Sequence, residues 1–223
     1  MITAQIASLP ERVDNLKKTV KSLIGQVDAM FVALNGHKEV PPFLQNNRKI
    51  TYILMDNALG AGAKFYDTDQ RSGYILTCDD DLTYFDGYAG LMVEGIKKHG
   101  GIVTLLGKVY DTRPITSYRM GYTKIYSCLN SVRYDTKIDV AGTGVMGWRS
   151  DTIKIDPGLF PEKNMADLWV SKLAYEQGVK LTVLAHPRES VFYKMYPHRI
   201  WLENKDRDRF QTEILNSFLK PEQ

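Results

Sequence analysis

Short, mostly apolar runs alternate along this chain with stretches in which apolar residues are spaced three or four apart. The runs, which we interpret as strands, are Ile2–Ala7, Ala29–Leu34, Ile50–Leu54, Tyr74–Cys78, Ile102–Leu106, Lys137–Val140 and Lys180–Leu184. The helical spacing predicts helices that begin at Val13 and near Asp167, a helix over Tyr88–His99, and one over about Arg207–Phe218. Strands that alternate with helices along the chain are typical of a mostly parallel sheet covered by helices. The pattern therefore predicts an α/β fold.

Composition narrows the class of protein without naming an activity. The 223 residues suit a single α/β domain with a C-terminal tail, and the net charge of +3 fits a nucleotide-sugar pocket as well as it fits nucleic acid. Only two cysteines occur, which favours a reducing compartment over a disulfide scaffold. The N-terminus shows no signal-peptide pattern and no apolar run is long enough to span a membrane. We therefore expect a cytoplasmic protein, or a peripheral one at the inner face of the membrane.

The most informative stretch is the strand Tyr74–Cys78 together with the three aspartates that follow it, Asp79, Asp80 and Asp81. Adjacent carboxylates repel one another, and a divalent cation relieves that repulsion while leaving positions free for substrate phosphates. Ligands of open α/β sheets bind outside the carboxyl ends of the strands. The competing interpretation is an acidic loop that caps the helix Tyr88–His99. The context favours a metal–diphosphate site.

Other candidate residues also follow predicted strands, and each has a structural alternative. Arg12 can reach a phosphate or remain a solvated residue at a helix start. Gly60 and Gly62 precede Lys64, so the backbone can approach a ligand whose diphosphate the lysine neutralises. Asp167 either acts in a reaction or caps its own helix.

The region 107–134 and the tail carry further aromatic and basic side chains. In 107–134 these residues could stack on sugars or bases, but half-buried strand faces use the same residues, and we expect that second role for most of them. The tail contains His186 and His198, and one of these two histidines could complete the coordination of a metal held by aspartates. We leave open which of the two does so.

With these residues in view, the chain resembles the GT-A glycosyltransferases, a nucleotide-sugar-dependent family with a Rossmann-like sheet and a metal-binding DxD motif. Within that family it is most similar to the small α-N-acetylglucosaminyltransferase type of bacterial heparosan (K5-type) capsule synthesis. The resemblance covers nearly the whole chain. Its motifs are Met1-Ile2 with Ser8-Leu9-Pro10 and Arg12, Gln26-Val27-Asp28, Gly62-Ala63-Lys64-Phe65, Leu76-Thr77-Cys78 with the three aspartates, Gly142-Thr143-Gly144, Asp167 before a helix, and Pro187-Arg188-Glu189.

The resemblance implies a division of labour along the chain. Residues 1–106 form the nucleotide-binding half, 107–185 the acceptor-side half and 186–223 the C-terminal tail. On the nucleotide side it implies that Ser8, Pro10 and Arg12 line the pocket, that Asp56 and Asn57 approach the uracil, and that Lys64 meets the base or the diphosphate.

For the reacting end, the resemblance implies a Mn²⁺ or Mg²⁺ ion bridging the diphosphate of a UDP-sugar. The resemblance implies that Asp79 and Asp81 bind this ion and that His198 is a further ligand. Asp79 could instead bind the ribose. Asp80 is implied to lie beside the donor. Gly144 then borders the donor sugar and the acceptor, Asp167 lies at the reacting centre, and His198 or Arg199 closes over the diphosphate. The nearest resemblance implies retention of the anomeric configuration, which spacing alone does not decide.

Three hypotheses about function follow. The first is a metal-dependent transferase that moves a sugar, such as N-acetylglucosamine, onto a glycan acceptor in surface polysaccharide synthesis, alone or with a partner transferase subunit. The second keeps the donor and makes a modified base of phage DNA the acceptor, in which case binding weakens steeply with salt. The third is a non-catalytic nucleotide-binding subunit that supports a partner transferase. A nucleotidyltransferase is disfavoured because no glycine-rich N-terminal nucleotide loop is present.

Overall fold

The protein is described here by a computed structural model, which covers residues 1–193 and 207–219. Its strands are β1 (Ile2–Ser8), β2 (Ala29–Asn35), β3 (Ile50–Met55), β4 (Tyr74–Asp79), β5 (Leu82–Tyr84), β6 (Ile102–Thr104), β7 (Gly107–Val109), β8 (Lys124–Tyr126), β9 (Thr136–Lys137), β10 (Val140–Ala141), β11 (Val145–Arg149), β12 (Leu181–Val183) and β13 (Val191–Tyr193). Its helices are α1 (Val13–Leu23), α2 (Tyr88–His99), α3 (Ala166–Glu176) and α4 (Asp208–Phe218). Every predicted helix is present.

The central feature is an eight-stranded sheet with the order β3-β2-β1-β4-β11-β6-β12-β9. Strands β3, β2, β1 and β4 run parallel to one another, and so do β6 and β12, whereas β11 is antiparallel to both of its neighbours. The carboxyl ends of β1, β2, β3 and β4 consequently meet at one edge of the sheet. The predicted α/β fold with a mostly parallel sheet flanked by helices is confirmed.

Helices cover both faces of this sheet because successive strand residues point to opposite sides. On β4, Leu76 packs in the cluster that contains Leu16 of α1 and Met92 of α2. The neighbouring Ile75 packs in a second cluster with Trp148 of β11 and Val170 of α3. Helix α4 adds a third cluster by packing against α3 and Tyr110. None of the helices in the described ranges is long and apolar enough to cross a bilayer.

Strand β11 was not predicted, because its residues follow glycines that suggested only close backbone packing. Gly147 lies in the middle of β11, and a side chain there would overlap the side chain of Leu76 on β4. The glycine therefore lets a strand insert between β4 and β6.

Three predicted strands are shorter than expected. The run Lys180–Leu184 is a strand only over Leu181–Val183. The run Ile102–Leu106 is a strand only as far as Thr104, whose hydroxyl accepts a hydrogen bond from the backbone N–H of Leu106 (3.2 Å) and turns the chain into β7. The run Lys137–Val140 is divided between β9 in the main sheet and β10 in a three-stranded sheet with β7 and β8. A second small sheet pairs β5 with β13 directly after the three aspartates.

Candidate functional site

A cavity of about 460 Å³ opens where the carboxyl ends of β1, β2 and β4 meet. This volume lies in the range of small-molecule and cofactor sites. Eight of the residues singled out from the sequence line it, namely Ser8, Pro10, Arg12, Asn57, Gly60, Lys64, Asp79 and Asp80. The structure therefore brings together residues that are up to 72 positions apart in the sequence, counting from Ser8 to Asp80.

Lys64 and Asp79 form an ion pair at the inner wall of the cavity. Lys64 lies in the 3-10 turn Gly60–Phe65, between the buried side chains of Ala63 and Phe65, and its own side chain is only 4% exposed. Burial lowers the pKa of Lys64, but the charge and the hydrogen bond of Asp79 outweigh that effect, so the pKa is raised. Lys64 is thus a permanently charged cation, and the 42% exposed Asp79 leaves its neighbourhood open to a ligand.

Arg12 balances the other two aspartates from the start of α1. Its Nη1 lies 3.0 Å from Asp80 Oδ1 and 3.7 Å from Asp81 Oδ2. The hydroxyl of Thr19 lies within hydrogen-bond distance of the carbonyls of Asp80 (3.0 Å) and Leu82 (2.6 Å), which fixes the loop against α1. Three carboxylates therefore lie near the positive charges of Lys64 and Arg12, and negative charge is in excess when all three are ionised.

Tyr84 and Gly144 fix the position of Asp79. The Tyr84 hydroxyl accepts a hydrogen bond from the backbone N–H of Asp79 (2.8 Å) and donates one to the carbonyl of Gly144 (2.6 Å). A side chain at Gly144 would overlap the carboxylate of Asp79. Gly144 does not line the cavity directly, but it leaves the space in which Asp79 reaches Lys64.

We therefore expect Gly144→Ala to displace Asp79 and to lower the free energy of unfolding by about 1–3 kcal/mol, the usual cost of overpacking. Urea unfolding of the purified variant measures this. Gly90→Ala is the matched control, because a Cβ at Gly90 in α2 meets no atom within 4 Å. Equal stability of the two variants would contradict the contact assigned to Gly144.

Asp167 lies beside this group of charges, on the first turn of α3. Its Oδ1 accepts hydrogen bonds from the backbone N–H (2.8 Å) and the hydroxyl (2.6 Å) of Thr143. No described hydrogen bond caps its own helix, which argues against the capping interpretation. Burial raises the pKa of Asp167 despite the bonds from Thr143 and the charge of Lys64. Asp167 is thus fixed to the loop before Gly144 and lies within electrostatic range of Lys64.

The fit of a divalent cation depends on the three aspartates. Burial, together with repulsion from Asp79 and Asp80, raises the pKa of Asp81 to about 7. A cation would relieve that repulsion, and carboxylate oxygens suit Mn²⁺ and Mg²⁺, which often take one or two carboxylates and fill their remaining positions with phosphates and water. Within residues 1–193 and 207–219, however, no group of three or more His, Cys, Asp or Glu residues is arranged to hold a metal. The described residues therefore supply at most part of a coordination shell.

The raised pKa of Asp81 predicts a pH dependence of stability. Between the ordinary pKa of 3.8 and about 7, the folded protein keeps a proton that the unfolded chain has lost, so stability falls as pH rises through this range. In EDTA, Asp81→Asn should stabilise the protein at pH 8 and change it little at pH 4, as measured by urea unfolding. Asp86→Asn is the control at an exposed neighbouring position, where a substitution should change the free energy of unfolding by less than about 0.5 kcal/mol. A gain for Asp81→Asn that is independent of pH would contradict the assignment.

The remaining predicted residues lie elsewhere. Asp56 is exposed, and its carboxylate accepts a hydrogen bond from the backbone N–H of Ala58 (3.0 Å), which stabilises the turn after β3. His186 is buried in a β-bridge to Val132, and its Nδ1 lies 2.7 Å from the carbonyl of Leu184. His198 and Arg199 lie outside the described residues.

Two polar residues of the cavity, Asn35 and Asn164, were not among the candidates from the sequence. Asn35 Nδ2 donates to the carbonyl of Gly60 (2.9 Å), and Asn164 Oδ1 accepts from the backbone N–H of Ala61 (3.1 Å). Both amides therefore hold the turn that carries Lys64. Only the Asn35-Gly36 strand end gave a sequence signal, since the contact of Asn164 crosses 103 positions.

Comparisons with known proteins agree with this architecture. No protein-family model and no curated protein matches the chain. Among solved structures, the chain is similar to residues 1–349 of S. aureus TarS, crystallised in complex with UDP-GlcNAc, with a TM-score of 0.63 and 14% sequence identity. The chain has a GT-A-like fold. The match covers 90% of this chain and 60% of the TarS chain, and at this identity it establishes the fold alone.

Proposed function

We propose that this protein is a glycosyltransferase that takes a sugar from a UDP-sugar, with UDP-GlcNAc as the first candidate, and transfers it to a glycan acceptor. The observation that carries the proposal is the cavity at the carboxyl ends of β1, β2 and β4, where Lys64 and Arg12 lie with Asp79 and Asp80. Asp81 does not line this cavity, but its Oδ2 lies 3.7 Å from Arg12 Nη1. The TarS structure, which has a similar fold, contains UDP-GlcNAc. The finer proposal of heparosan-type capsule synthesis with retention of configuration rests on the motif resemblance.

In this proposal the nucleotide occupies the cavity. Ser8 and Pro10 line its β1 side, and Asn57 lies on the β3 side, where the uracil is placed. The diphosphate lies near Arg12 and Lys64, because paired cations bind a dianion favourably and both line the cavity. Asp79 and Asp81 are the proposed protein ligands of Mn²⁺ or Mg²⁺, with the diphosphate and water filling the remaining positions.

The chemistry follows from where charge develops. Breaking the bond between the anomeric carbon and the phosphate oxygen leaves negative charge on the diphosphate and positive charge on the sugar. Lys64 and Arg12 stabilise the departing diphosphate, because fixed charges placed in advance cost no reorganisation. A bound divalent cation adds further positive charge there. Asp167, fixed by Thr143, is proposed to face the anomeric carbon, as a carboxylate does in glycoside hydrolysis.

Two reaction courses are compatible with this assignment. In an inverting course Asp167 takes the proton of the acceptor hydroxyl. In a retaining course, which we favour on the resemblance, Asp167 holds and orients the sugar. The acceptor attacks from the side of the departing diphosphate, whose oxygen takes the proton of the acceptor hydroxyl. The product is the glycosylated acceptor together with UDP.

The test is release of UDP from UDP-sugars by the purified protein with Mn²⁺, with Mg²⁺ and with EDTA. We expect slow hydrolysis of one UDP-sugar with metal, faster release when a polysaccharide fragment is added, and no release from GDP- or ADP-sugars. Nucleotide binding without release under any of these conditions would contradict the proposal and favour a supporting subunit.

A further inference from the structure

The C-terminal helix α4 is joined to a loop near Asp167 by polar side chains four residues apart. Asp208 accepts from the backbone N–H of Arg119 (2.8 Å) and from the hydroxyl of Ser117 (2.8 Å). Thr212 Oγ1 accepts from the backbone N–H of Tyr118 (2.8 Å). Asn216 accepts from the N–H of Ile115 and donates to its carbonyl, both at 2.8 Å. Residues at this spacing share one helix face. The polar side chains on this face of α4 hydrogen-bond to residues 115–119, mainly to their backbone.

Tyr118 is the residue that this face fixes most directly. Its backbone carbonyl accepts from Lys108 Nζ (3.2 Å) and from the hydroxyl of Tyr110 (2.5 Å). Its ring also lies under the ammonium of Lys108, 3.8 Å from the centroid. Tyr118 therefore holds Lys108 through both its carbonyl and its ring, a cation–π contact.

Lys108 and Tyr118 in turn lie within electrostatic range of Asp167. Burial lowers the pKa of Lys108 to about 8, and the charge of Asp167 opposes that shift. Burial, followed by the charge of Asp167, raises the pKa of Tyr118. None of these residues lines the nucleotide cavity. They form a second group of side chains near Asp167, separate from the cavity that Lys64 lines: Tyr118 packs against the hydrophobic cluster that contains Leu168, the residue after Asp167 in α3.

We propose that Asp208, Thr212 and Asn216 are positioning residues for the acceptor side of the reaction, acting by fixing residues 115–119 so that Tyr118 and Lys108 stay beside Asp167. This inference rests on the proposed function, because it assigns the group formed by Lys108 and Tyr118 to the acceptor. Loosening the loop should slow the attack on the donor sugar, since a reacting group out of place by a fraction of an ångström loses rate. It should leave donor affinity unchanged, because the nucleotide cavity contains none of these residues.

The test compares Thr212→Val with Thr212→Ser in the full chain. Valine keeps the shape but removes the acceptor of the Tyr118 N–H, whereas serine keeps the hydroxyl. The first readout is the titration of Lys108, followed by NMR of ¹³C-lysine-labelled protein and assigned with Lys108→Met. We expect a midpoint near 8 in the wild type and in Thr212→Ser. In Thr212→Val the midpoint should move toward the ordinary value of 10.5, because the loosened lysine regains water.

The second readout is UDP release from UDP-GlcNAc with the polysaccharide fragment as acceptor. We expect Thr212→Val to lower kcat by about tenfold with the KM for UDP-GlcNAc unchanged, from the lost positioning of the reacting groups, and Thr212→Ser to remain close to the wild type. Glu213→Ala is the matched control, since it breaks only the exposed pair with Arg209 (3.0 Å) on the same helix. Asn216→Ala replaces Thr212→Val if the latter does not fold.

The outcomes separate this inference from the proposed function. An unchanged Lys108 titration in Thr212→Val, or a moved titration with unchanged kcat, overturns the positioning role and leaves α4 as a purely structural helix. If the wild type neither binds nor hydrolyses any UDP-sugar, the proposed function fails. The Lys108 titration then still decides whether α4 positions this lysine.

Discussion

Replacing Asp167 by asparagine is expected to lower the rate of sugar transfer by about 10²–10⁴-fold, the usual contribution of a positioned acid or base, while UDP affinity stays unchanged. The substitution removes the negative charge and keeps the shape. An asparagine Oδ1 can still accept the two hydrogen bonds that Thr143 donates to Asp167. The loop before Gly144 should therefore stay in place, and the loss should appear in kcat.

Kinetics of UDP release and calorimetric titration with UDP measure the two quantities separately. Asp156→Asn is the control of equal chemistry, because Asp156 is an exposed carboxylate that accepts from the backbone N–H of Gly158 (2.8 Å), away from the cavity. A parallel loss of kcat and UDP affinity in Asp167→Asn would reduce Asp167 to a structural residue that holds the loop.

Lys64→Met is expected to weaken UDP binding by about 100-fold, within the range measured when one partner of a close charge pair is removed. Methionine has a similar length but no charge, so the cavity loses a cation and gains an unpaired Asp79. Among the described residues that line the cavity, Arg12 would then be the one remaining cation, so a diphosphate would meet excess negative charge from the aspartates. Calorimetric titration with UDP measures the effect.

The double variant Lys64→Met/Asp79→Asn separates binding from folding. Removing both charges leaves no unpaired carboxylate at this position, so the free energy of unfolding should recover toward the wild type. The affinity for UDP should not recover, because the cation is still missing. If Lys64→Met alone bound UDP as tightly as the wild type, Lys64 would be a structural partner of Asp79 and no part of the diphosphate site.

The sequence predicted the parts of this protein that local rules control. The bounds of α2 were predicted as observed, because helical spacing and the terminating Gly100-Gly101 are both local signals. The position of the three aspartates at a strand end followed from the apolar run before them. The close approach of Lys64 to Asp79 was not predictable, although both were candidates, because it depends on how the turn Gly60–Phe65 folds back over β1 and β4.

Long-range contacts account for what the sequence did not reveal. Tyr84 gives no signal in the sequence, yet its hydroxyl contacts both the backbone of Asp79 and the carbonyl of Gly144, which lies 60 positions after Tyr84. The role of α4 depends on contacts between residues about 90 to 100 positions apart, such as Tyr118 with Thr212. No periodicity reports such pairs, because they depend on the order of strands in the sheet.

The claim that this cavity binds a nucleotide-sugar donor is tested most directly by a thermal-shift panel of UDP-, GDP-, ADP- and CMP-sugars, each with Mn²⁺ and with EDTA. A ligand that binds only the folded state raises the unfolding midpoint by mass action, so the result does not depend on knowing the acceptor. We expect one UDP-sugar to raise the midpoint of thermal unfolding, more strongly with Mn²⁺ than with EDTA, and we expect no such rise in Lys64→Met. Folded protein with no shift for any nucleotide sugar would contradict the claim that this cavity is a donor site.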